Sequence, residues 1–309
     1  MSSKVIVPEA GARKGDLPSS PRGARRRAAT PYLLVVPTAL FLALFFAWPM
    51  LQSLLLAFQD GTGGFTLGNF QSMAADYAFW PAVRNTLLLL LAIVPTQVVL
   101  ALVMALLIQA RLRGSDFFLY VWAIPLAISD LAAGIVWLSI FSDNGYLNSV
   151  LAPLGLTEGR FAFLSYEHPL SAFFAVVIAE TWRATSIVMV ILLAGLQGIP
   201  REYGEAAEVF GASFWQRIWK VTLPLLRPSL QVALILRTIL AFQVFAVVVA
   251  LTGRNLPVLA GEAYYWYGSY RNVNVAAAYS LIILALSLVT TIIYLRALRV
   301  SEEQTGAVR

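Results

Sequence analysis

The sequence alternates long apolar stretches with shorter polar segments. A membrane helix needs about 20 mostly apolar residues, and six stretches reach that length. Prolines inside the first three are compatible with membrane helices, because neighbouring helices can satisfy the carbonyls that a proline leaves unpaired. The pattern predicts an all-α integral membrane protein, with a transmembrane domain over 31–298. The six predicted spans are Tyr32–Ala57, Asn85–Ala110, Phe117–Phe141, Leu170–Leu196, Ser229–Thr252 and Val275–Leu298.

The composition excludes several other classes of protein. Charged residues make up 12% of the 309 residues and hydrophobic residues 59%, whereas a soluble domain has roughly 25% charged residues. The sequence contains no cysteine and a single histidine, His168. The sequence therefore lacks the residues for disulfides and thiolate catalysis, and one histidine is too few for a histidine-based metal site. We expect no catalytic site and no metal site in this chain.

The distribution of Lys and Arg predicts the orientation in the membrane. With the N-terminus inside, 16 of the 22 basic residues fall on the inner side, counting Arg296 at the inner end of the last span, and four fall in the outer loops. An excess of Lys and Arg marks the cytoplasmic side, so both termini are predicted to be cytoplasmic. Residues 1–30 lack the apolar core of a signal peptide and are predicted to form a disordered basic tail. Residues 299–309 form a second predicted tail.

A long polar loop separates the fourth and fifth predicted spans. It contains the sequence EYGEAAEVFGASFWQRIWKVTLPLLRP at 202–228. Pro200 suits the first turn of a helix, and Gly211 can end that helix in a left-handed conformation. Ser213 can cap a second short helix, which Pro224 then stops. These signals predict a helix–turn–helix on the inner membrane surface, suited to docking in a groove on another protein.

The spacing inside this loop resembles the EAA loop of bacterial ABC-importer permeases. Glu-Ala-Ala at 205–207 is followed by three residues, a glycine, nine residues, Val221, one residue and Leu-Pro, with Val in place of the usual Ile. In that family the loop, here 200–224, carries a coupling helix that docks on the ATPase. Sugar permeases usually have Asp before the glycine, and this chain has Phe. The resemblance implies ATPase coupling by Glu205, Ala206, Ala207, Phe210, Gly211, Leu223 and Pro224.

Further segments resemble, in the same order, the carbohydrate permeases of maltose and glycerol-phosphate importers. Among them are LGNF at 67–70, RNTL at 84–87 and NGYLN at 144–148. The resemblance implies the type I ABC importer permease fold in a bacterial inner membrane. It also implies a heterodimer with a second permease chain, two ATPase subunits and an extracytoplasmic substrate-binding protein.

The same resemblance implies import of a disaccharide, oligosaccharide or polyol derivative by alternating access. The chain itself would not be an enzyme. It lacks the G-x-x-x-x-G-K-[ST] loop that cradles nucleotide phosphates, so ATP and Mg are expected on the ATPase subunits and no cofactor on this chain. Three alternatives stay open: an ABC permease for another solute, a secondary transporter with inverted repeats and an ion site, and a receptor or scaffold.

Four charged residues lie in the interior of the predicted spans, away from their ends, where each needs a partner or a function. Glu180 and Arg183 are three residues apart on one helix and can form an ion pair. Asp130 and Arg237 lie on different helices. They fit either an interhelical ion pair or positions along the substrate pathway.

Hydrogen-bonding and aromatic side chains within the spans are candidates for contacts with a carbohydrate. Each of them also fits a helix–helix contact. The strongest candidate is the glutamine in LAFQVFAVV, near the middle of the fifth span. The aromatic residues at 264–267 and 270 fit either the interfacial belt of membrane proteins or stacking against an entering sugar. The six pathway candidates are Gln243, Asp130, Gln97, Trp182, Trp137 and Tyr279.

Overall fold

The structure, a computed structural model, describes residues 34–156 and 159–298. The predicted tails at 1–30 and 299–309 lie outside the described residues. Within the described ranges the regular elements are helices, and one isolated antiparallel bridge joins Gln59 and Phe65. The helices are α1 Leu34–Ala57, α2 Gly68–Ala75, α3 Phe79–Gln109, α4 Ser115–Ala123, α5 Asp130–Phe141, α6 Tyr146–Leu151, α7 Pro169–Gln197, α8 Arg201–Val209, α9 Phe214–Phe242, α10 Ala246–Thr252, α11 Leu259–Gly268 and α12 Val273–Ala297.

Five of these helices are long and apolar enough to cross a membrane, namely α1, α3, α7, α9 and α12. A sixth span is formed when α4 and α5 are taken together, although the chain bends by 105° between them. The prediction of six membrane segments in an all-helical chain is therefore confirmed, with a broken third span.

The third predicted span is not one continuous helix. Pro125 lies in the 3₁₀ turn Ile124–Ala127 that follows α4, because a proline in a helix interior removes a hydrogen bond and clashes with the preceding turn. Ile128 and Ser129 are then extended, and the Ser129 hydroxyl accepts a hydrogen bond from the N–H of Ala132. This serine cap begins a new helix in a new direction.

The fifth predicted span is also broken, and its bounds differ from the prediction. The helix α9 begins at Phe214 and ends at Phe242, so it starts earlier and stops earlier than expected. Gln243 lies in the break rather than inside a helix, and α10 begins at Ala246. A mid-membrane break leaves backbone groups outside the helical ladder, which is tolerated where the break is buried in protein or lines a water-filled cavity.

The two broken spans contact each other through their second halves, because α5 packs against α10. The approach is close at Gly134. A Cβ atom built there would lie 2.6 Å from the Cβ of Ala250 and 3.2 Å from the Cα of Val247. Only glycine permits this distance between the two helices.

The interior of the second compact unit, 54–298, is organised around α7. In an apolar stretch of 18 residues, 67% of the α7 residues are buried, against 33% in α3 and 28% in α12. The pair α3 and α7 shares the most extensive helix–helix contact, and α9 packs against α3, α7 and α12. At Gly195 of α7 a Cβ would overlap Ser229 of α9, so this pair also depends on a glycine.

Residues 34–53 belong to the first compact unit. They form most of α1, with a π-helical turn at Ala43–Ala47. Their large side chains are exposed, as in Phe41, Phe45 and Trp48. An apolar helix with exposed side chains suits a lipid environment, since the bilayer core is itself apolar.

Candidate functional site

The polar loop between α7 and α9 begins with the short helix α8. Pro200 is the N-cap of α8, one position before the first turn in which it was expected. The helix ends at Val209, and Gly211 terminates it as predicted with a φ of +77°, in the left-handed region. The N–H of Gly211 bonds to the carbonyl of Glu208, and that of Ala212 to the carbonyl of Ala207. These bonds satisfy the last carbonyls of the helix.

The turn after α8 is held by a capping box. The Ser213 hydroxyl accepts a hydrogen bond from the N–H of Gln216, and the Gln216 side chain accepts one from the N–H of Ser213. This reciprocal arrangement satisfies two N–H groups at the start of α9. An ion pair between Glu208 and Arg217 joins α8 to the first turns of α9.

The second surface helix predicted in this loop does not exist as a separate element. The chain passes through the π-helical turn Ile218–Thr222 and continues as α9. In this wider turn the N–H of Leu223 bonds to the carbonyl of Ile218, five residues earlier. The π turn changes the hydrogen-bond pattern next to Pro224, so the proline does not end the helix.

The residues assigned to ATPase coupling divide into an exposed and a covered group. Glu205, Ala206 and Gly211 are exposed, and Phe210 is 90% exposed. The covered group is half-buried against its own chain and consists of Ala207, Leu223 and Pro224. Among the residues assigned to coupling, the accessible ones therefore lie on α8 and in the turn that follows it.

A polar cluster lies among the membrane helices, centred on Glu180 of α7. Glu180 is 1% exposed. Its two carboxylate oxygens accept hydrogen bonds from Nε and Nη2 of Arg183, both at 3.0 Å. This confirms the predicted ion pair within one helix. The remaining terminal nitrogen of Arg183 lies 2.7 Å from Oδ1 of Asp130.

Of the two alternatives for Asp130 and Arg237, the ion pair between them does not form. Asp130 is the first residue of α5, at the break of the third span, and it bonds to Arg183 instead. Arg237 is 1% exposed; its Nε donates to Oε1 of Gln97 at 2.5 Å, and its Nη2 lies 3.9 Å from Glu180. In the described part of the chain, both terminal nitrogens of Arg237 lack a hydrogen bond.

The cluster joins four helices and has no net formal charge. Two carboxylates face two guanidinium groups, and the side-chain amide of Gln97 donates to the backbone carbonyl of Glu180 at 2.8 Å. A buried ion without a partner costs several kcal/mol, so the members of this cluster depend on one another. Exposure rises from the Arg237 side chain at 1% to Arg183 at 17% and Asp130 at 56%.

Three of the six pathway candidates are exposed: Asp130, Trp182 and Gln243. Trp137 is half-buried and lies with its ring edge-on to Trp182, at 6.0 Å between centroids. Its indole N–H is buried without a hydrogen-bond partner among the described residues. The exposed candidates lie at the two helix breaks and on the face of α7 beside Arg183.

The other two pathway candidates are interior contacts. Gln97 and Tyr279 are both 0% exposed, so neither lines an accessible surface in this structure. The Gln97 side chain donates to the carbonyl of Glu180 and accepts from Arg237. The Tyr279 hydroxyl donates to Asp76 at 3.2 Å. Trp266, one of the loop aromatics, donates to the same carboxylate at 2.8 Å. Tyr279 and Trp266 therefore fasten α11 and α12 to the chain before α3.

A further ion pair, which the sequence did not indicate, joins Arg254 in the loop before α11 to Glu262 of α11. Arg254 donates to Glu262 at 2.5 Å, and Glu262 is 0% exposed. The guanidinium also lies within 6 Å of the rings of Tyr77, Tyr265 and Tyr270, a cation–π distance. Hydrogen bonding to Glu262 raises the pKa of Arg254 above its ordinary value. Of the loop aromatics, Tyr265 and Tyr270 thus contact Arg254. Tyr264 and Tyr267 are largely exposed.

Two of the resembling motifs supply polar clamps between distant segments. In RNTL, Asn85 donates to the carbonyl of Pro257 at 3.0 Å, and Thr86 accepts from the N–H at the start of α11 at 3.0 Å. In NGYLN, Asn148 forms two hydrogen bonds with the backbone of Phe161, at 2.8 and 3.0 Å. The motif resemblance was the available signal for these residues, although it gave no partner.

Comparison with known proteins agrees with this architecture. The sequence pattern of the binding-protein-dependent transport system inner membrane component matches residues 82–298. The chain is 32% identical over 285 residues to the trehalose/maltose transport system permease protein MalF of Thermococcus litoralis, covering 88% of this chain and 94% of that protein. It is 34% identical over 288 residues to the sulfoquinovosyl glycerol transport system permease protein SmoG of Agrobacterium fabrum, covering 87% and 90%.

The fold is shared with a chain of a bacterial alginate ABC transporter, solved in complex with an alginate pentasaccharide-bound periplasmic protein. The TM-score is 0.74 at 22% identity, and the match covers 90% of this chain and 96% of that chain. The membrane-length helices, the exposed helix α8 and the sequence matches all indicate the same family. This chain belongs to the family of binding-protein-dependent transport system inner membrane components.

Proposed function

We propose that this chain is the membrane-spanning subunit of an ATP-driven importer for a carbohydrate: a disaccharide, an oligosaccharide or a polyol derivative. The observation that carries the proposal is α8, a short exposed helix with Glu205 and Ala206 on its surface, ended by Gly211. Its spacing is that of the EAA loop. Relatives named as trehalose, maltose and sulfoquinovosyl glycerol permeases support the choice of a carbohydrate.

The proposed assembly contains a second permease chain, two ATPase subunits that bind ATP and Mg, and an extracytoplasmic binding protein. The alginate transporter solved with a periplasmic protein supports this type of assembly. Both termini and α8 would lie in the cytoplasm of a bacterial inner membrane. The chain would supply the passage and no enzymatic step.

The geometry offers a direct route from α8 to the polar cluster. The ion pair between Glu208 and Arg217 fixes α8 to the start of α9. The helix α9 then runs without interruption for 29 residues, which is about 43 Å at 1.5 Å per residue. Arg237, near its far end, contacts Gln97 of α3 and lies beside Glu180 of α7. A displacement of α8 would therefore reach three membrane helices through packed contacts.

The substrate would pass along the surface that carries Asp130, Trp182 and Gln243. All three are exposed, and two of them lie at helix breaks. Carboxylate and amide groups there can hydrogen bond to hydroxyls, and an exposed indole can cover the C–H face of a sugar. Alternating access would open this surface to one side of the membrane and then to the other.

Uptake by the reconstituted assembly tests the proposal. The chain is co-expressed with the ATPase, second permease and binding protein encoded beside its gene, and ATP-dependent uptake is measured for a panel of sugars, polyols, amino acids and anions. We expect one or more carbohydrates to be accumulated and to stimulate ATP hydrolysis. Uptake by the purified chain alone, driven by a proton or sodium gradient, would contradict the proposal, and accumulation of only non-sugar solutes would overturn its carbohydrate part.

A further inference from the structure

A cavity of about 230 Å³ lies where α3 ends and α4 begins. Its walls are mostly apolar, with two polar residues from the connecting turn. That volume equals roughly seven or eight waters at about 30 Å³ each. The residues around it include Leu107, Leu112, Phe118, Trp122, Arg113 and Ser115.

The turn that closes this cavity has a defined and unusual backbone. Arg111 has a φ of +50° and Gly114 a φ of +90°. A positive φ is uncommon for a long side chain such as arginine, so local hydrogen bonds must hold it. The N–H of Arg111 bonds to the carbonyl of Ile108, and that of Ser115 to the carbonyl of Leu112, both at 3.0 Å. The cavity is therefore bounded by a fixed turn.

The chemistry of the cavity changes from apolar to basic at this turn. Arg111 and Arg113 are exposed, and neither forms a salt bridge within the described ranges. Asp116 is the acidic residue of this segment, which leaves a net positive charge. An apolar cavity of this kind disfavours water, which needs polar partners to remain in place.

The place of the turn at the end of a membrane-length helix predicts that it lies near the level of the lipid head groups. It follows directly on α3, a membrane helix of 31 residues, and precedes the first half of the broken span. In the proposed orientation it is on the cytoplasmic side, so the inference rests on the proposed function in this respect. Basic pockets between membrane helices on that side recognise anionic head groups.

We propose that this cavity binds an anionic phospholipid of the inner leaflet. The acyl chain lies against Leu107, Phe118 and Trp122, and the phosphate is bound by Arg113, with Arg111 adding long-range attraction. The occupant is a lipid because the cavity joins an apolar volume to unpaired basic groups at bilayer depth. By contacting both α3 and α4, the lipid steadies the first half of the broken span that leads to Asp130.

Native mass spectrometry of the complete purified assembly tests this proposal. The assembly is incubated with dioleoylphosphatidylglycerol or dioleoylphosphatidylcholine and delipidated with detergent to the same extent. We expect wild type to retain one phosphatidylglycerol per chain more than Arg113→Gln. Leu112→Trp, which places a bulkier side chain in the cavity wall, should retain less phosphatidylglycerol than wild type as well. The matched control is Arg227→Gln, an exposed arginine on α9, which should retain the lipid as wild type does.

A thermal-shift measurement provides a second readout on the same samples. Phosphatidylglycerol should raise the unfolding temperature of wild type and Arg227→Gln by a few degrees more than phosphatidylcholine does, because a ligand stabilises the state it binds. The difference should vanish in Arg113→Gln. Equal retention and equal shifts for both lipids, or full retention of phosphatidylglycerol in Arg113→Gln, would overturn the proposal.

A variant with one introduced cysteine distinguishes a lipid from a protein segment as the occupant of the cavity. The chain has no native cysteine, so Leu112→Cys gives one reactive position. Cross-linking of this cysteine to another subunit in the assembly would overturn the proposal; labelling by a lipid-soluble maleimide, with no protein cross-link, is the expected result. Lipid retention does not require transport, so a failure of carbohydrate uptake would count against the proposed function alone.

Discussion

The loop around α8 and the cluster around Glu180 are both polar, but they are held in opposite ways. α8 has no buried residue, and its shape comes from the turn at Gly211, the capping box at Ser213 and the ion pair between Glu208 and Arg217. Glu180 is almost fully buried and is held by Arg183 and, across helices, by Gln97. The loop can therefore change partners without loss of the fold, whereas the cluster cannot lose its buried carboxylate, Glu180, without loss of stability.

Removing the centre of the cluster is the largest expected effect. Glu180→Ala leaves Arg183 and Arg237 without their buried carboxylate, and breaking a buried pair in this way costs about 3–5 kcal/mol. We expect little folded protein in detergent, measured by fluorescence-detected size exclusion and thermal unfolding. Asp130→Asn is the matched control. The Asp130 side chain is 56% exposed, so this variant should lose much less stability than Glu180→Ala. Equal stability of wild type and Glu180→Ala would show that the cluster is not structural.

Changes at α8 should act on transport and spare the fold. Glu205 is exposed, so Glu205→Ala should alter the free energy of unfolding by less than about 0.5 kcal/mol. Loss of a docking hot spot costs about 2 kcal/mol, which weakens ATPase binding roughly 30-fold. Gly211→Leu should also weaken ATPase binding, because the left-handed φ of residue 211 disfavours a branched side chain and the turn after α8 would change shape.

ATP-dependent uptake and pull-down of the ATPase measure this prediction. Glu167→Ala, an exposed glutamate in the loop before α7, is the control and should behave as wild type. Normal uptake by Glu205→Ala with normal ATPase binding would refute the coupling role and remove the contrast between the two regions.

Gln243 tests whether the exposed break belongs to the passage. A net hydrogen bond contributes about 0.5–1.5 kcal/mol, so Gln243→Ala should raise the substrate concentration for half-maximal ATPase stimulation by roughly 2- to 13-fold. Its assembly should match wild type, because the side chain is exposed. Reduced assembly with unchanged substrate response would assign Gln243 to helix packing instead.

The smallest expected effect concerns Asp60, in the turn after α1. Hydrogen bonds from Thr62 and Gly64 hold the pKa of the Asp60 carboxylate below its ordinary value. A depressed pKa stabilises the folded turn above the unfolded value of about 3.9, and this stabilisation is lost as the pH falls through the lower folded value. The protection of the Thr62 and Gly64 amides, that is their exchange rate relative to the intrinsic rate at the same pH, should decrease on acidification in wild type. In Asp60→Asn the exchange should be faster at neutral pH and lack this acid step; identical profiles would contradict the assignment.

Sequence reasoning succeeded where a signal and its effect lie within a few residues. The end of α8 at Gly211, the cap at Ser213 and the pair of Glu180 with Arg183 are all of this kind. It failed where the outcome depends on packing or on an irregular turn. The π turn before Pro224 kept α9 continuous, and the break at Ser129 turned Asp130 toward Arg183.

The positions of the pathway candidates show the same limit. Composition selected polar and aromatic residue types, but burial depends on neighbours that are far apart in the sequence. Gln97 and Tyr279 are enclosed by helices that come much later or much earlier in the chain. Similarly, nothing local connects Asn85 with Pro257, so this contact could be located only in three dimensions.

The close crossing at Gly134 has a mechanical consequence. With no room for a methyl group between α5 and Ala250, these two half-helices cannot slide past each other without first separating, which would expose their shared apolar surface. They can, however, turn together as one body. The break before Asp130 and the break at Gln243 would then move together, so that a rotation of the pair would shift both exposed polar side chains at the same time.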